Sequence, residues 1–454
     1  MSKTSSERKP ALGREMGPLP LKGVRITDLT WALASAGNST LLASLGAEVI
    51  RIEWPERMDF TRLSETAGVG ISSREVQRTP LGPGKKEIPY QKKGAPVPSL
   101  ANRSGVFNDR NPGKYGITLN MSLAEGREIF KRLVSTSDVV MDGFKAPVMG
   151  KWGLGYDDLR SIKEDIIYIQ MSGYGNSGPC RDYGSLGPTA QAFSGLGYLH
   201  GLPEPHEPTS WSHSYMDTTP PVYGALAVIG ALHHRNRTGR GQYIDQAQYE
   251  PGLFLSGTAL LDFSANGRGS TRHGNRSPHL PAAPHGIYRC AGDDAWIAIA
   301  AFNDAEWWAL CACMENPEWT REALFATLEA RIANQDALDT LVEYWTIAQD
   351  RYTLMYRLQE AGVPAGAVQS PEDKVRTDPH LKVRDFFVQL DHSELGTWPF
   401  TRHLTPKLSA TPAHPGGPTH RGAPCIGEDN RYVYEQLLGM SAEEIRAYED
   451  GGVI

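Results

Sequence analysis

Residues 23–52 read GVRITDLTWALASAGNSTLLASLGAEVIRI and indicate the fold class. Residues 23–29 run apolar as a strand does, and residues 34–45 are small and apolar, typical of a helix that stops at Gly46. Residues 47–52 form the next apolar run, which predicts a second strand. A strand, a helix and a strand within about 30 residues make a βαβ unit, so we predict a parallel sheet of Rossmann-like topology. No GxGxxG follows the first strand, which argues against a bound dinucleotide such as NAD.

The alternation of strands and helices continues along the chain. Further strands are predicted over residues 115–119, 138–141, 166–171 and 242–246, with helices between them. Ser122 and Glu125, three residues apart, predict a capping box at the start of one helix. Residues 285–300 predict a hairpin with a turn at residues 292–294, and residues 321–334 predict a helix. The fold class predicted from this order is α/β.

One segment interrupts the α/β rhythm. Residues 56–103 are rich in Gly, Pro, Ser and Lys, and we interpret them as a surface insertion. Its lysines could meet an anionic ligand or only carry solvated charge; they are Lys85, Lys86, Lys92 and Lys93.

The order of predicted elements also suggests a domain layout. We expect a flexible N-terminus over residues 1–19 and the first part of a large α/β domain over residues 20–250. Residues 251–350 form a linker and a smaller middle domain, and residues 351–454 return to the large domain. A length of 454 residues suits two or more domains.

Composition excludes several classes of protein. The net charge of −6 and the pI near 6.1 argue against a nucleic-acid partner. No apolar run reaches membrane-spanning length and the N-terminus has no apolar signal core, so we expect a cytoplasmic protein without a membrane partner. The five cysteines are odd in number and have no metal-binding spacing, which favours a reducing compartment and no metal.

Residues 211–250 carry the candidate nucleophile. A proline pair suits the first turn of a helix, and apolar residues then recur at helical spacing, which predicts a buried helix. Its predicted apolar stripe is Val222, Ala225, Leu226, Ile229 and Leu232. Asp217 lies where this helix begins, and the helix dipole there favours an ionised carboxylate. Asp217 is therefore either a nucleophile or only a helix N-cap.

A second candidate site follows a predicted strand. Residues 172–179 read SGYGNSGP and form a glycine-punctuated turn just past the strand over residues 166–171. Ligands of open α/β sheets bind outside the carboxyl ends of the strands. We therefore expect this turn to border a ligand.

Five stretches together resemble the class III CoA-transferase family, the formyl-CoA transferase and carnitine CoA-transferase type. They are LKGVRITDLTWALASAGNSTLLASLGAEVIRIE (21–53), NPGKYGITLNMSLAEGREIFKRLVSTSDVVMDGF (111–144), WGLGYDDLRSIKEDIIYIQMSGYGNSGP (152–179), AQAFSGL (190–196) and GALAVIGALHHRNRTGRGQYID (224–245). The resemblance implies a Rossmann-like large domain built from both chain ends plus a smaller middle domain. It also implies an interlocked, ring-like dimer, either a homodimer or a heterodimer with a paralogous subunit.

The resemblance implies a role for Asp217, which matches the position of the family's catalytic aspartate. Asp217 would attack an acyl-CoA and pass CoA to a free carboxylic acid through an aspartyl anhydride and an aspartyl-CoA thioester, without NAD or a metal. The positions that match coenzyme A contacts are Leu33, Ala34, Lys114, Phe144, Lys151, Ser172 and Tyr174. The loop over residues 267–276 matches a mobile glycine-containing loop and is a candidate source of oxyanion donors.

Other functions stay open at this point. An α-methylacyl-CoA racemase-like enzyme would need a histidine where this chain reads GSLGPTAQAFSG, and that stretch has none. A non-catalytic, CoA-binding subunit of a heteromeric transferase would use Asp217 only to cap a helix. For the substrates we expect succinyl-CoA and an aryl or dicarboxylic acid, because aromatic residues surround Asp217 in the sequence: Tyr198, Trp211, His213 and Tyr215.

Overall fold

The computed structural model describes residues 19–63, 101–209, 214–404 and 406–454. The predicted loose N-terminus through residue 18 lies outside the described residues, as do residues 64–100 of the insertion predicted over residues 56–103, with its four lysines. The ends of that predicted insertion are described, and Asp59 and Arg62 within them are buried.

The chain divides into two compact units. Unit 1 comprises residues 1–194, 212–255 and 383–454, and unit 2 comprises residues 195–211 and 256–382. The domain boundaries drawn from the sequence at residues 250 and 350 stay predictions.

Unit 1 is built around a six-stranded parallel sheet, as the βαβ pattern predicts. Its strands are β1 (Arg25–Leu29), β2 (Glu48–Glu53), β3 (Tyr115–Thr118), β4 (Val139–Asp142), β5 (Ile167–Ser172) and β6 (Tyr243–Ala247). Their order is β3-β2-β1-β4-β5-β6, and every neighbouring pair is parallel. The direction of winding reverses between β1 and β4, which is the arrangement of a doubly wound sheet.

The central strands are apolar on both faces because both faces are covered. Val140 and Tyr168 pack into one hydrophobic core, whereas Val139 and Ile167 pack into another. Neighbouring residues of one strand point to opposite faces, so each core takes alternate residues. This pattern explains why the strands read as continuous apolar runs in the sequence.

Helices cover the sheet and build the rest of both units. In chain order they are α1 (Ala34–Ser44), α2 (Gly105–Arg110), α3 (Ala124–Ser135), α4 (Pro147–Lys151), α5 (Tyr156–Ile162), α6 (Gly187–Phe193), α7 (Leu196–Leu199), α8 (Thr219–Thr238), α9 (Glu250–Leu255), α10 (Gly257–Asn266), α11 (Asp304–Cys313), α12 (Leu328–Ala333), α13 (Gln335–Thr346), α14 (Arg351–Glu360), α15 (Pro379–Val383) and α16 (Ala442–Asp450). Helices α7 and α10 to α14 belong to unit 2.

Helix α3 does not begin as predicted. The capping box at Ser122 and Glu125 is wrong, because the N-cap position is Leu123 and no side chain caps the helix. The backbone N–H and the hydroxyl of Ser122 both donate to the side-chain oxygen of Asn120. This local turn uses the Ser122 hydroxyl that a capping box would need.

Helix α8 packs closely on α1 through glycine. A Cβ atom at Gly224 of α8 would lie 2.1 Å from Nδ2 of Asn38, and one at Gly37 of α1 would lie 3.2 Å from the side chain of Pro221. The two backbones therefore approach each other more closely than larger residues would allow. This contact fixes the start of α8 beside the start of α1.

The buried face of α8 differs from the predicted stripe. Ala225 and Leu232 are buried as predicted, but the side chains of Val222 and Leu226 are 57% and 65% exposed, and Ile229 is also exposed. The prediction of one buried stripe is wrong at these three positions. The close contact with α1 selects small residues, so the larger apolar residues of α8 point away from the core of unit 1.

Unit 2 contains a small antiparallel sheet. Its strands are β7 (His285–Arg289), β8 (Trp296–Ala300) and β9 (Ala365–Ala367), in the order β7-β8-β9. The predicted hairpin over residues 285–300 is confirmed, and Asp294 in its turn has a φ of 48°. The helix predicted over residues 321–334 is broken, because 3-10 turns at Glu318–Arg321 and Ala323–Phe325 precede α12.

A further hairpin belongs to unit 1. Strands β10 (Phe387–His392) and β11 (Gly396–Thr401) pair antiparallel. Among the described residues, none of the helices has the length and apolar character needed to cross a membrane.

Candidate active site

Several of the predicted site residues lie at the carboxyl edge of the parallel sheet. The register sets Leu29 of β1 beside Asp142 of β4, and Ser172 of β5 beside Ala247 of β6. The loops that follow these four strands therefore emerge on one edge. The winding reverses between β1 and β4, which is where open α/β sheets form a ligand crevice.

The loops after β1 and β4 touch each other at this crevice. A Cβ atom at Gly143, just after β4, would lie 2.4 Å from the hydroxyl oxygen of Ser35 at the start of α1. Leu33 and Phe144 are half-buried here, and Ala34 is buried. The structure thus brings together three of the residues predicted to contact CoA.

Aromatic rings form one wall of the crevice. The Trp31 ring meets the Phe144 ring edge-on at a centroid distance of 6.3 Å, and the Phe144 ring meets Trp152 in the same way at 5.8 Å. Phe144 also packs against the main core of unit 1. This position is compatible with the predicted ligand contact of Phe144 and also with a place at the edge of the core.

Asp142 is buried beneath this wall. Its carboxylate accepts hydrogen bonds from the Tyr168 hydroxyl and, at 2.8 Å, from the backbone N–H of Phe144. Burial raises the pKa of Asp142 to about 7, although these hydrogen bonds oppose the shift. Asp142 therefore holds the backbone of the loop that carries Phe144 by a hydrogen bond.

Two lysines near the crevice are exposed. Lys151, a predicted CoA contact, is the last residue of α4. Lys145 was not among the predicted residues, yet it directly follows Phe144, and its Nζ atom lies 3.4 Å from where Gly184 would carry a Cβ atom. The sequence could have indicated Lys145 only through its position next to Phe144, which matches a coenzyme A contact.

Lys114 lies in a different environment from the one predicted. Its side chain is 0% exposed, and its ammonium group donates to Ser39 Oγ at 2.8 Å, Asn111 Oδ1 at 2.9 Å, Ala36 O at 3.0 Å and Asp28 Oδ2 at 3.3 Å. Burial lowers the pKa of Lys114 to about 8, against the opposing pull of Asp28. Four protein acceptors surround three N–H groups, so this arrangement leaves none of them for a phosphate.

Ser172 and Tyr174 lie at the end of β5. Ser172 is buried, and its hydroxyl has no hydrogen-bond partner among the described residues. The Tyr174 ring packs against Phe193 at 5.0 Å and Tyr249 at 5.6 Å. A buried hydroxyl without a partner is uncommon, and a bound ligand at this edge would satisfy it.

Asp217 ends a 3-10 turn, Tyr215–Asp217, and is half-buried. The N-cap position of α8 belongs to Thr218, so Asp217 precedes the cap by one residue. The N-cap interpretation of the sequence therefore does not describe its position. A Cβ atom at Gly187 would lie 2.2 Å from Oδ2 of Asp217, so the carboxylate fills the space beside this glycine.

Two buried glutamines hold the turn of Asp217 from opposite ends. Gln191 of α6 accepts hydrogen bonds from the Ser214 hydroxyl and from the backbone N–H of Tyr215, both at 3.0 Å. Gln248, which follows β6, donates from Nε2 to Met216 O at 2.7 Å and lies 3.4 Å from Asp217 Oδ1. The sequence analysis missed both glutamines, because no local pattern links them to Asp217.

The turn of Asp217 is tied to the end of β5 through Gln248. The backbone N–H of Gln248 donates to Ser172 O at 2.8 Å, and that of Tyr249 donates to Gly173 O at 3.1 Å. The structure thus connects Asp217 with the predicted turn at Ser172 through one residue.

The predicted oxyanion loop belongs to unit 2. Its residues 274–276 line a cavity of about 890 Å³ within that unit. Arg276 in this loop pairs with Asp336 and lies 3.5 Å from Asp339. The role of residues 267–276 as oxyanion donors stays a prediction.

Two further predictions concern aromatic neighbours and metals. Tyr215 shares the turn of Asp217 and Tyr198 lies in unit 2, whereas Trp211 and His213 lie outside the described residues. In the part of the chain that the structure describes, no group of three or more His, Cys, Asp or Glu side chains could hold a metal ion.

Comparison with known proteins decides the family. The model of CoA-transferase family III matches residues 21–430. The chain belongs to CoA-transferase family III. The resemblance predicted from the sequence is thereby confirmed, and the protein is a CoA-transferase.

Several family III relatives have named activities. The chain is 32% identical to succinyl-CoA–D-citramalate CoA-transferase of Chloroflexus aurantiacus, over 96% of this chain and 98% of that protein. It is 33% identical to succinyl-CoA:mesaconate CoA-transferase of Haloarcula marismortui, over 87% and 92%. It is 30% identical to the beta subunit of succinyl-CoA–L-malate CoA-transferase of Chloroflexus aurantiacus, over 96% and 98%.

A solved structure shares the fold. The crystal structure of a CAIB/BAIF family protein from Brucella suis matches with a TM-score of 0.78 and 28% sequence identity. The match covers 93% of this chain and all of that chain. The mixed α/β fold with a central parallel sheet is therefore similar to that of a solved CAIB/BAIF family protein.

Proposed function

We propose that this CoA-transferase moves CoA from succinyl-CoA to a dicarboxylic acid, with Asp217 as the covalent nucleophile. The observation that carries the proposal is the position of the Asp217 carboxylate, half-buried beside Gly187 and next to the amide of Gln248. A carboxylate in such a place is held in one orientation and is partly shielded from water, as a nucleophile needs to be.

The first half-reaction loads the enzyme. An oxygen of Asp217 attacks the thioester carbonyl of succinyl-CoA, the C–S bond breaks, and CoA leaves as the thiolate. The product is a mixed anhydride of Asp217 and succinate. The thiolate then attacks Cγ of Asp217, the anhydride C–O bond breaks, and succinate leaves with the bridging oxygen. Asp217 is now a CoA thioester.

The second half-reaction reverses these steps with a new acid. The carboxylate of the acceptor attacks Cγ of Asp217, expels the CoA thiolate and forms a second anhydride. The thiolate attacks the acceptor carbonyl and releases the new acyl-CoA together with the Asp217 carboxylate. One thioester replaces another, so the exchange is close to thermoneutral and consumes no ATP.

The crevice at the sheet edge is the proposed CoA site. Leu33, Ala34 and Phe144 would contact the nucleotide end, and Ser172 and Tyr174 would flank the arm that reaches Asp217. This assignment is supported by their common position at the reversal of the sheet and by the Ser172 hydroxyl without a described partner.

The two predicted lysines receive different roles in this proposal. Lys151 is exposed and suits a CoA phosphate. For Lys114 we propose a structural role, because its ammonium group is enclosed by acceptors of the protein. It would tie α1 to the strands that carry the crevice.

The acceptor class follows from the relatives. Their names specify citramalate, malate and mesaconate as acceptors and succinyl-CoA as the donor. Each of these acceptors is a dicarboxylic acid, so we propose a dicarboxylic acceptor over the aryl acid that the sequence also allowed.

Replacement of the nucleophile tests the proposal. Asp217→Asn keeps the size of the side chain but removes the nucleophilic carboxylate, so we expect kcat to fall at least ~1,000-fold in an assay with succinyl-CoA and dicarboxylic acids. Asp182→Asn, at an exposed carboxylate beside Arg181, is the matched control and should keep wild-type activity. Retention of more than a tenth of the wild-type kcat by Asp217→Asn would refute the proposal.

A heteromeric enzyme is the second candidate. Relatives at 30% identity are named as the alpha and beta subunits of one transferase. We expect a cytoplasmic, interlocked homodimer, with a heterodimer as the alternative. Purified alone, the chain should be active if it is a homodimer; activity that appears only after a paralogous chain is added would favour the heterodimer.

A further inference from the structure

Gln248 is the side chain that joins the sheet to the nucleophile. Its amide nitrogen donates to Met216 O at 2.7 Å and lies 3.4 Å from Oδ1 of Asp217. Only 8% of its surface is exposed, so water does not readily compete for these contacts. The amide therefore holds the residue before Asp217 and faces the carboxylate at the same time.

The position of Gln248 is set by the sheet and not by a loose loop. Its backbone N–H donates to Ser172 O at 2.8 Å, which extends the pairing of β5 with β6 by one residue. The neighbouring Tyr249 donates to Gly173 O in the same way. A donor anchored to a parallel sheet is pre-organised, so it need not reorient when charge develops near it.

We propose that Gln248 positions Asp217 and donates a hydrogen bond to Oδ1 while Cγ is attacked. This inference rests on the proposed function. When the CoA thiolate or the acceptor carboxylate adds to Cγ, the electron pair of the carbonyl bond moves onto Oδ1. The amide N–H then faces an oxyanion, and the pair returns when the leaving group departs. The contact of 3.4 Å in the resting protein shortens as the charge develops.

The proposed role requires a hydrogen-bond donor at position 248, whereas a role in packing alone would require only a side chain of similar size. The group at position 248 must donate a hydrogen bond towards Asp217. A carboxylate of the same length would repel Asp217 when ionised, but its protonated form would again donate an O–H. The activity of such a variant should therefore depend on pH in a way that the activity of an apolar variant does not.

The test compares three variants of the full-length protein, assayed with succinyl-CoA and a dicarboxylic acid. Gln248→Met removes the donor at similar length, and Gln248→Glu makes it depend on pH. Gln246→Met is the matched control: Gln246 lies within β6, two residues before Gln248, and its side chain donates to Pro220 O at 2.8 Å and not to Asp217. Thermal melting of each variant reports whether it folds.

We expect Gln248→Met to lower kcat about 100-fold, as loss of one oxyanion donor does, with the KM for succinyl-CoA changed less than threefold. Gln246→Met should stay within threefold of the wild type. Gln248→Glu should be as poor as Gln248→Met at pH 8 and should gain at least fivefold in kcat relative to it as the pH falls to 5.5, because protonation restores the donor.

Two results would overturn the inference: a kcat of Gln248→Met above one third of the wild type, or a pH profile of Gln248→Glu that runs parallel to that of Gln248→Met. If Gln248→Met fails to fold, the test rests on the pH dependence of kcat for Gln248→Glu compared with that of the wild type. A ratio of the two kcat values that does not rise as the pH falls from 8 to 5.5 then overturns the inference. Failure of the inference is distinct from failure of the proposed function, because the latter shows as activity of Asp217→Asn.

Discussion

The carboxylate of Asp217 and the backbone of Gly187 occupy adjacent space. A Cβ atom at position 187 would lie 2.2 Å from Oδ2 and 2.5 Å from Cγ of Asp217. Because the glycine opens α6, the carboxylate is pressed against the start of a helix and not against a flexible side chain. Glycine at this position is therefore required for the observed position of the Asp217 carboxylate.

Gly187→Ala tests this condition. The added methyl group must displace the carboxylate by an ångström or more, and we expect kcat to fall about 100-fold for that displacement. Gly257→Ala is the control, since a Cβ atom there meets nothing within 4 Å, and its kcat should not change. Steady-state kinetics of both variants provide the measurement, and equal activities would show that Asp217 has room to move.

Asp142 gives the fold a measurable pH dependence. Burial raises the pKa of Asp142 from 3.8 to about 7, so the folded protein holds a proton that the unfolded chain releases above pH 4. The stability contributed by this group is full below pH 4 and is lost as the pH rises to about 7. Asp142→Asn removes this dependence, because the amide never ionises.

We therefore expect Asp142→Asn to be more stable than the wild type at pH 8, by ~2 kcal/mol or more, and to lose that advantage near pH 4. Denaturant unfolding of both proteins at the two pH values is the measurement. The same stability difference at pH 4 and pH 8 would show that Asp142 is not protonated in the folded protein.

Individual residues were predictable where a local pattern or the family resemblance fixed them. Asp217 became a candidate in this way. Gln248 and Gly187 were not, because each meets Asp217 only after about 30 residues of intervening chain have folded. Lys114 shows the opposite case: its sequence position matches a coenzyme A contact, but its ammonium group is buried and α1 supplies two of its four acceptors.

At the scale of elements, the contact between α1 and α8 places the turn of Asp217. Gly224 is the point of closest approach, with a Cβ atom there only 2.1 Å from Nδ2 of the buried Asn38. A Cβ atom at Gly230, six residues further along the same helix, would meet nothing within 4 Å, and Gly230 is exposed. Alanine substitution at Gly230 therefore changes only the helix propensity, whereas alanine substitution at Gly224 also changes the packing against α1.

Gly224→Ala should destabilise the protein by ~2 kcal/mol or more, because the contact with α1 is overpacked. Gly230→Ala should leave stability unchanged or raise it by up to ~1 kcal/mol, since alanine favours a helix more than glycine does. Midpoints of urea unfolding measure both effects. A loss in both variants, or in neither, would contradict this description of the helix contact.

The central strands β1, β2, β4 and β5 were predictable because they are buried almost throughout and read as mainly apolar runs. Details at helix ends and faces were not. The turn at Asn120 and Ser122 replaced the predicted capping box, and the close approach at Gly224 turned Val222 and Leu226 outward. Both outcomes depend on contacts that the local spacing of residues does not contain.

At the scale of the whole molecule, the sheet order is what assembles a site from distant segments. The reversal between β1 and β4 brings the loop of Leu33 next to that of Phe144, and β5 and β6 add Ser172 and Gln248 at the same edge. A βαβ pattern predicts a parallel sheet, but the order of its strands follows only from the folded chain.

The central claim is that CoA passes through a covalent bond to Asp217. The protein is incubated with succinyl-CoA and then with hydroxylamine, and the peptide that contains Asp217 is examined by mass spectrometry. We predict a hydroxamate on Asp217 that forms only when succinyl-CoA is present and is missing from Asp217→Asn. An unmodified Asp217 peptide from protein that is active in the same tube, or a hydroxamate on another carboxylate, would contradict the claim.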